Sequence, residues 1–214
     1  MPTPINGGPL RIFFLTALAM TAFAANSILC RFALDGGLID AASFTAIRMG
    51  SGILVPGLMA IVRNGPVRPL KGRTVWMPVM LAAYALFFSF AYIRLGAGTG
   101  ALILFGAVQA TMILAGRMAG ERLSVLQTAG LAMALSGLVC LVFPGLHAPS
   151  PLYAGMMAMA GAAWGVYSLL GKRESDPVSA TADNFILALP LVLAAGFLIG
   201  KPVQIGRASC RERV

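Results

Sequence analysis

At 214 residues, with 58% hydrophobic and only 11% charged side chains, the chain lacks the roughly 25–35% charged surface of an ordinary soluble domain. Its formal net charge of +9 arises from 16 Lys and Arg against 7 Asp and Glu. These bases cluster at the ends of apolar runs, which is where membrane proteins keep their topology signal, so no nucleic-acid partner is needed to explain them.

A helix rising about 1.5 Å per residue needs roughly 20 apolar residues to cross a hydrocarbon core of about 30 Å. Seven stretches of that kind fill the chain. The first runs from Ile12 to Cys30 and the second from Ala41 to Val62, with Arg48 inside it. The third and fourth are Thr74 to Ile93 and Leu95 to Gly116, divided by Arg94. No Asp, Glu, Lys or Arg lies between Arg122 and Lys172, but the run from Pro144 to Pro151 is rich in Pro and Gly and marks a turn. It separates a fifth span, Leu123 to Phe143, from a sixth, Leu152 to Gly171. The seventh is expected from about Asn184 to Gly200. The short connections leave no room for a soluble domain, and only helices satisfy their own backbone in such runs.

With the N-terminus inside, the cytoplasmic segments hold Arg11, Arg63, Arg68, Lys71, Arg73, Arg117, Arg122, Lys172 and Arg173, against Arg31, Arg94 and Lys201 outside. That bias predicts a multi-pass inner-membrane protein with a cytoplasmic N-terminus. Ala22-Phe23-Ala24 at the end of the first run resembles a signal-peptidase site, but an internal repeat argues that the segment is retained. Shifted by 141 residues, Ala22-Phe23 falls on Ala163-Trp164, Ser27 on Ser168, Leu29 on Leu170, Arg31 on Lys172 and Phe44 on Phe185. Five spans separate equivalent points, so the second copy is inverted across the membrane, the arrangement of many secondary transporters. Two five-helix copies make ten helices, of which seven are present.

The expected organisation is therefore a five-helix repeat over residues 11–143, an incomplete two-helix copy over 152–204, and a tail over 205–214. That tail reads IGRASCRERV and resembles a translated sequencing adapter, so it is set aside from the fold. The chain is expected to be C-terminally truncated and, in its 214-residue form, inactive in transport.

The repeat plan, Phe44-Thr45-Ala46-Ile47-Arg48 in helix two, Gly120-Glu121-Arg122-Leu123-Ser124 before helix five, and Gly130 to Gly137 within it resemble the drug/metabolite transporter superfamily, in its EamA-type branch. The resemblance covers about Arg11 to Gly200, and it departs from the family at Gly106-Ala107, where many members carry a Pro in helix four. It implies an all-α polytopic carrier of ten helices in two inverted repeats, moving small metabolites or drugs by alternating access. Glu121 and Arg122 belong to its most specific motif and are expected to be structural, with Glu121 paired to Arg117 and Arg122.

Arg48 is the sharpest candidate for a substrate contact, because an Arg near the middle of a span costs about 2.5–3.5 kcal/mol and normally faces a cavity or a partner. Snorkelling to the outer interface is its structural alternative. Under the gapless repeat its counterpart is Leu189. Gln109 and Asn26 place amides inside the membrane, where they bind a polar substrate or bridge helices. Trp164 and Tyr167, three apart on one helix face, are the better aromatic pair, ahead of Tyr84 and Tyr92. Gly161 to Gly165 and Gly116 to Gly120 have the spacing that lets helix backbones approach closely.

No cofactor or metal is expected, since the single His147 lies in a loop without acidic or Cys company. An intramembrane enzyme is the least supported class, because no span carries a His, an H-E-x-x-H or a G-x-S-x-G. A sensor or a structural membrane protein is the alternative to a carrier. The expected partners are the lipid bilayer and a small-molecule substrate. Asp183, the one acid near a span, is expected to be solvated at the cytoplasmic entry of helix seven.

Overall fold

The computed structural model describes residues 8–35, 39–64, 75–122, 124–142, 149–172 and 174–198. The adapter-like tail, His147, Lys201 and the loop bases Arg68, Lys71, Arg73 and Arg173 lie outside them.

Among the described residues, seven α-helices follow one another in the expected order: α1 Pro9–Asp35, α2 Ala41–Asn64, α3 Trp76–Ala91, α4 Ala97–Met118, α5 Val125–Val142, α6 Pro151–Gly171 and α7 Pro177–Leu198. Among the described residues, α1, α4, α6 and α7 are long and apolar enough to cross a membrane, while α3 has 16 residues. The helices keep their polar groups to themselves. The hydroxyls of Thr21, Thr45, Ser89, Thr111, Ser136, Ser168 and Thr181 each donate to the carbonyl four residues earlier. Such back-bonding is how a hydroxyl is satisfied where no water is at hand.

The most extensive interfaces join α2 to α7, α3 to α6 and α4 to α6. α6 is thus wedged between α3 and α4, and small residues make that possible. A Cβ on Gly161 would run into the Leu104 carbonyl and the Ala107 side chain, and one on Gly165 would meet the Thr111 side chain. In lipid, where apolar surface gains little by leaving its solvent, close backbone approach is what holds helices together. α1 and α5 pack at the margin and carry apolar side chains on their exposed faces, among them Phe13, Phe14 and Leu18 on α1. A helix that is apolar all round belongs in a bilayer.

Helix ends correct two expectations. α7 begins at Pro177, seven residues before the expected Asn184, because the Asp176 carboxylate caps it: Oδ1 accepts from the Ser179 N–H at 3.3 Å and Oδ2 from its hydroxyl at 2.6 Å. Asp183 is therefore nearly two turns inside the helix and 5% exposed, and it is not solvated at the entry. The second correction concerns Gly116 to Gly120, which ends α4 instead of pairing helices. Gly120 has φ +88°, its N–H donates to the Arg117 carbonyl at 3.0 Å and the Glu121 N–H donates to the Gly116 carbonyl at 2.9 Å. That pattern is a Schellman stop. It folds the Glu121 carboxylate back over Gly116, where a Cβ would collide with it. No ion pair joins Glu121 to Arg117 or Arg122, and all three are exposed. Two residues past Arg122, Ser124 and Gln127 cap α5 reciprocally, at 2.8 and 3.3 Å.

Candidate functional site

Three aromatic residues at four-residue spacing, Tyr84, Phe88 and Tyr92, share one face of α3. Successive rings touch, with centroids 5.3 Å apart for Tyr84 and Phe88 and 4.7 Å for Phe88 and Tyr92. α6 adds Trp164 to this row at 4.7 Å from Tyr84, and Tyr167 follows it at 5.4 Å. Phe23 of α1 closes on Trp164 edge-on at 6.3 Å.

Arg48 of α2 lies across the row. Its guanidinium carbon is 4.6 Å from the Phe88 centroid and 5.2 Å from that of Tyr84, so the charge rests on two ring faces inside the bundle. This is not a side chain extended to the outer interface. The Cys30 thiol of α1 is also beside it. Its Nη1 is buried and has no hydrogen-bond partner. A desolvated cation over a ring is worth about 2 kcal/mol, against an insertion cost of about 2.5–3.5 kcal/mol and an unmade buried hydrogen bond of about 1–3 kcal/mol. The Cys30 thiol, hydrogen-bonded to the guanidinium, adds to what the rings supply.

Arg48 borders a cavity of about 550 Å³. Its wall takes residues from five helices, including Asn26 of α1, Arg48 and Ser51 of α2, Tyr84 of α3, Trp164 of α6 and Phe185 of α7. The volume is within the range of small-molecule pockets. Of the residues named from sequence, Arg48, Asn26, Trp164 and Tyr84 meet at this cavity, and Tyr167 backs Trp164 without lining it. Gln109 is exposed on α4, away from the cavity wall. Glu121 and Arg122 sit at the α4–α5 connection. No group of His, Cys, Asp and Glu that could hold a metal occurs among the described residues.

Phe88, Phe185 and Phe23 were not among the sequence candidates. The spacing of 84, 88 and 92 is the signal that could have found Phe88. Phe185 enters through Gly52, where a Cβ would strike its ring, so this glycine admits the α7 aromatic to the cavity edge. Arg31 holds two helix ends together, because its Nη1 donates to the Tyr92 and Ile93 carbonyls at 3.0 and 3.1 Å and so ties the end of α1 to the end of α3.

The fold and its apolar surface define a multi-pass helical membrane protein with an open cavity among its helices. No family model matches the chain, and no solved structure matches it. It is 48% identical over 180 residues to an uncharacterised protein of Pseudomonas aeruginosa, covering 84% of this chain and 62% of that one. It is 27% identical over 150 residues to a probable terminal-alkyne amino-acid exporter of Streptantibioticus cattleyicolor, covering 62% of this chain and 50% of the exporter. The chain thus spans between half and two thirds of the length of these relatives.

Proposed function

We propose that the protein is a secondary transporter of small metabolites or drugs in the inner membrane, of the EamA-type drug/metabolite class, working by alternating access between two inverted repeats. The observation that carries this reading is the cavity among five helices, bordered by Arg48 in the middle of an apolar helix. An ionisable group at such depth marks a substrate or ion path by default. The distant exporter supports the same reading, and its amino-acid cargo suggests the first compounds to test.

Two features support the inverted repeat. Asp40 caps α2 through Ser43 just as Asp176 caps α7 through Ser179, with the Ser43 N–H at 3.0 Å and its hydroxyl at 2.5 Å. The two capped helices are also packed against each other, as elements related by a pseudo-two-fold axis would be. The caps are 136 residues apart, so the offset of 141 that relates Arg31 to Lys172 is not gapless. α1 accommodates the difference by running to 27 residues where α6 has 21. On the cap register the counterpart of Arg48 is Asn184 and not Leu189. Both bear a buried nitrogen without a partner, Arg48 Nη1 and Asn184 Nδ2.

Transport itself is tested with the full-length gene product in proteoliposomes, by counterflow of labelled amino acids with and without a pH gradient. Counterflow above empty liposomes is the expected result, and Arg48→Ala should abolish it while inserting normally. Wild-type flux in Arg48→Ala would remove Arg48 from the site. A fully inserted protein that moves no compound of a broad metabolite panel would overturn the carrier reading.

A further inference from the structure

The chemistry of the cavity wall separates substrate classes. Among the described residues it presents one cation, Arg48, and no Asp or Glu, while Asn26 and Ser51 supply neutral polar groups and Tyr84, Trp164 and Phe185 supply ring surface. Resting on the carrier reading above, we infer that the site recognises an amphiphilic monocarboxylate: the carboxylate pairs with the Arg48 guanidinium at the cavity wall, and an apolar or aromatic body lies along Trp164 and Phe185.

The choice of an anion follows from what the guanidinium lacks. Its charge is supported by the faces of Phe88 and Tyr84 but by no acidic residue of the wall. A neutral ligand could accept from the guanidinium but would leave the charge uncompensated, whereas a carboxylate does both with a short charge-assisted bond. A cationic ligand would add like charge in a medium of low dielectric. Shape restricts the remainder. A cavity of about 550 Å³ walled by aromatic rings is wider than a lone inorganic anion needs and suits an organic body. The same reasoning applies to an amino group: an α-ammonium would find rings and an amide but no carboxylate on this wall. The deaminated acid should therefore bind at least as well as the corresponding amino acid.

Trp164 reports on the site directly. The chain has two Trp residues, and the other, Trp76, is exposed at the start of α3, so Trp76→Phe leaves a single reporter. The purified full chain carrying Trp76→Phe is titrated in detergent with 3-phenylpropionate, 3-phenylpropanamide, L-phenylalanine and phenethylamine, following tryptophan emission. The expected order places 3-phenylpropionate at least about tenfold tighter than its amide, the factor that one hydrogen bond to a charged group supplies. L-phenylalanine should be no tighter than 3-phenylpropionate, and phenethylamine weakest. Arg48→Gln should erase the difference between acid and amide by weakening the acid alone. Arg48→Lys, which keeps the charge, should retain an acid preference and so guards against a Gln variant that folds poorly. Equal affinity for acid and amide, a preference that survives Arg48→Gln, or tighter binding of the amine would each overturn the assignment. None of these outcomes touches the carrier reading, which stands or falls on counterflow in proteoliposomes.

Discussion

Arg48 was visible in the sequence because a charge inside an apolar run has no cheap explanation; of its two ring partners, Tyr84 was among the aromatic candidates and Phe88 was not. Phe88 and Phe185 sit in runs where every residue is apolar, so nothing in composition separates a ring that lines a cavity from one that faces lipid. Gln109 fails the other way. A polar residue in a span attracts notice, but α4 is apolar around most of its circumference, so the sequence does not say which side faces the bundle, and the structure exposes it. The glycines sort by what stands opposite. Gly161 meets the Leu104 carbonyl, whereas a Cβ on Gly155, on the same helix, would meet nothing within 4 Å. Gly161→Val should therefore lower the thermal stability of the purified protein in detergent, by about 1–3 kcal/mol or more if α6 is pushed off α4. Gly155→Ala should leave it unchanged or slightly raise it, since Ala is the better helix former by about 1 kcal/mol. Equal melting of the two variants would show that the α4–α6 contact is not tight.

At the level of elements, hydropathy located all seven helices of the described residues and most of their ends, but misplaced the start of α7, because that end is decided by a cap and not by apolar content. The expected start of α7 missed Asp176 and Ser179, and with them the burial of Asp183 and Asn184. The connection from Gly120 to Ser124 shows the same principle: it reads as a charged loop motif, yet its first residue stops α4 and its last starts α5. Gly120→Ala forces a side chain into left-handed backbone at about 1–2 kcal/mol, and Ser124→Ala removes a cap worth about 1 kcal/mol. Both should speed proteolytic cleavage at this connection in detergent, and Glu121→Gln should not, since no ion pair is lost. Cleavage in Glu121→Gln as fast as in Gly120→Ala would return the motif to an electrostatic role.

For the whole molecule, orientation is the property the sequence argues most directly and the bundle leaves open, since a helical bundle packs equally well either way up. The argument rests on nine Lys and Arg on one side against three on the other. Some of that bias is already spoken for by local structure. Arg31, on the sparse side, is held by the carbonyls at the end of α3, so it serves a contact and need not weigh as a free topology signal. Removing it sharpens the asymmetry. The turn before α4 and the turn before α7 lie on opposite sides, and Gly96 and Ser175 are exposed in them. With Cys30, Cys140 and Cys210 replaced, Gly96→Cys should react with a membrane-impermeant maleimide in cells whose outer membrane alone is permeabilised, and Ser175→Cys should react only after the inner membrane is opened. The reverse pattern would invert the protein, and would place the outer-side Arg48 cavity nearer the cytoplasm. Labelling of both sites in the same cells would mean that the positive charge does not set a single orientation, a result that the inverted-repeat reading could absorb only as dual insertion of the chain.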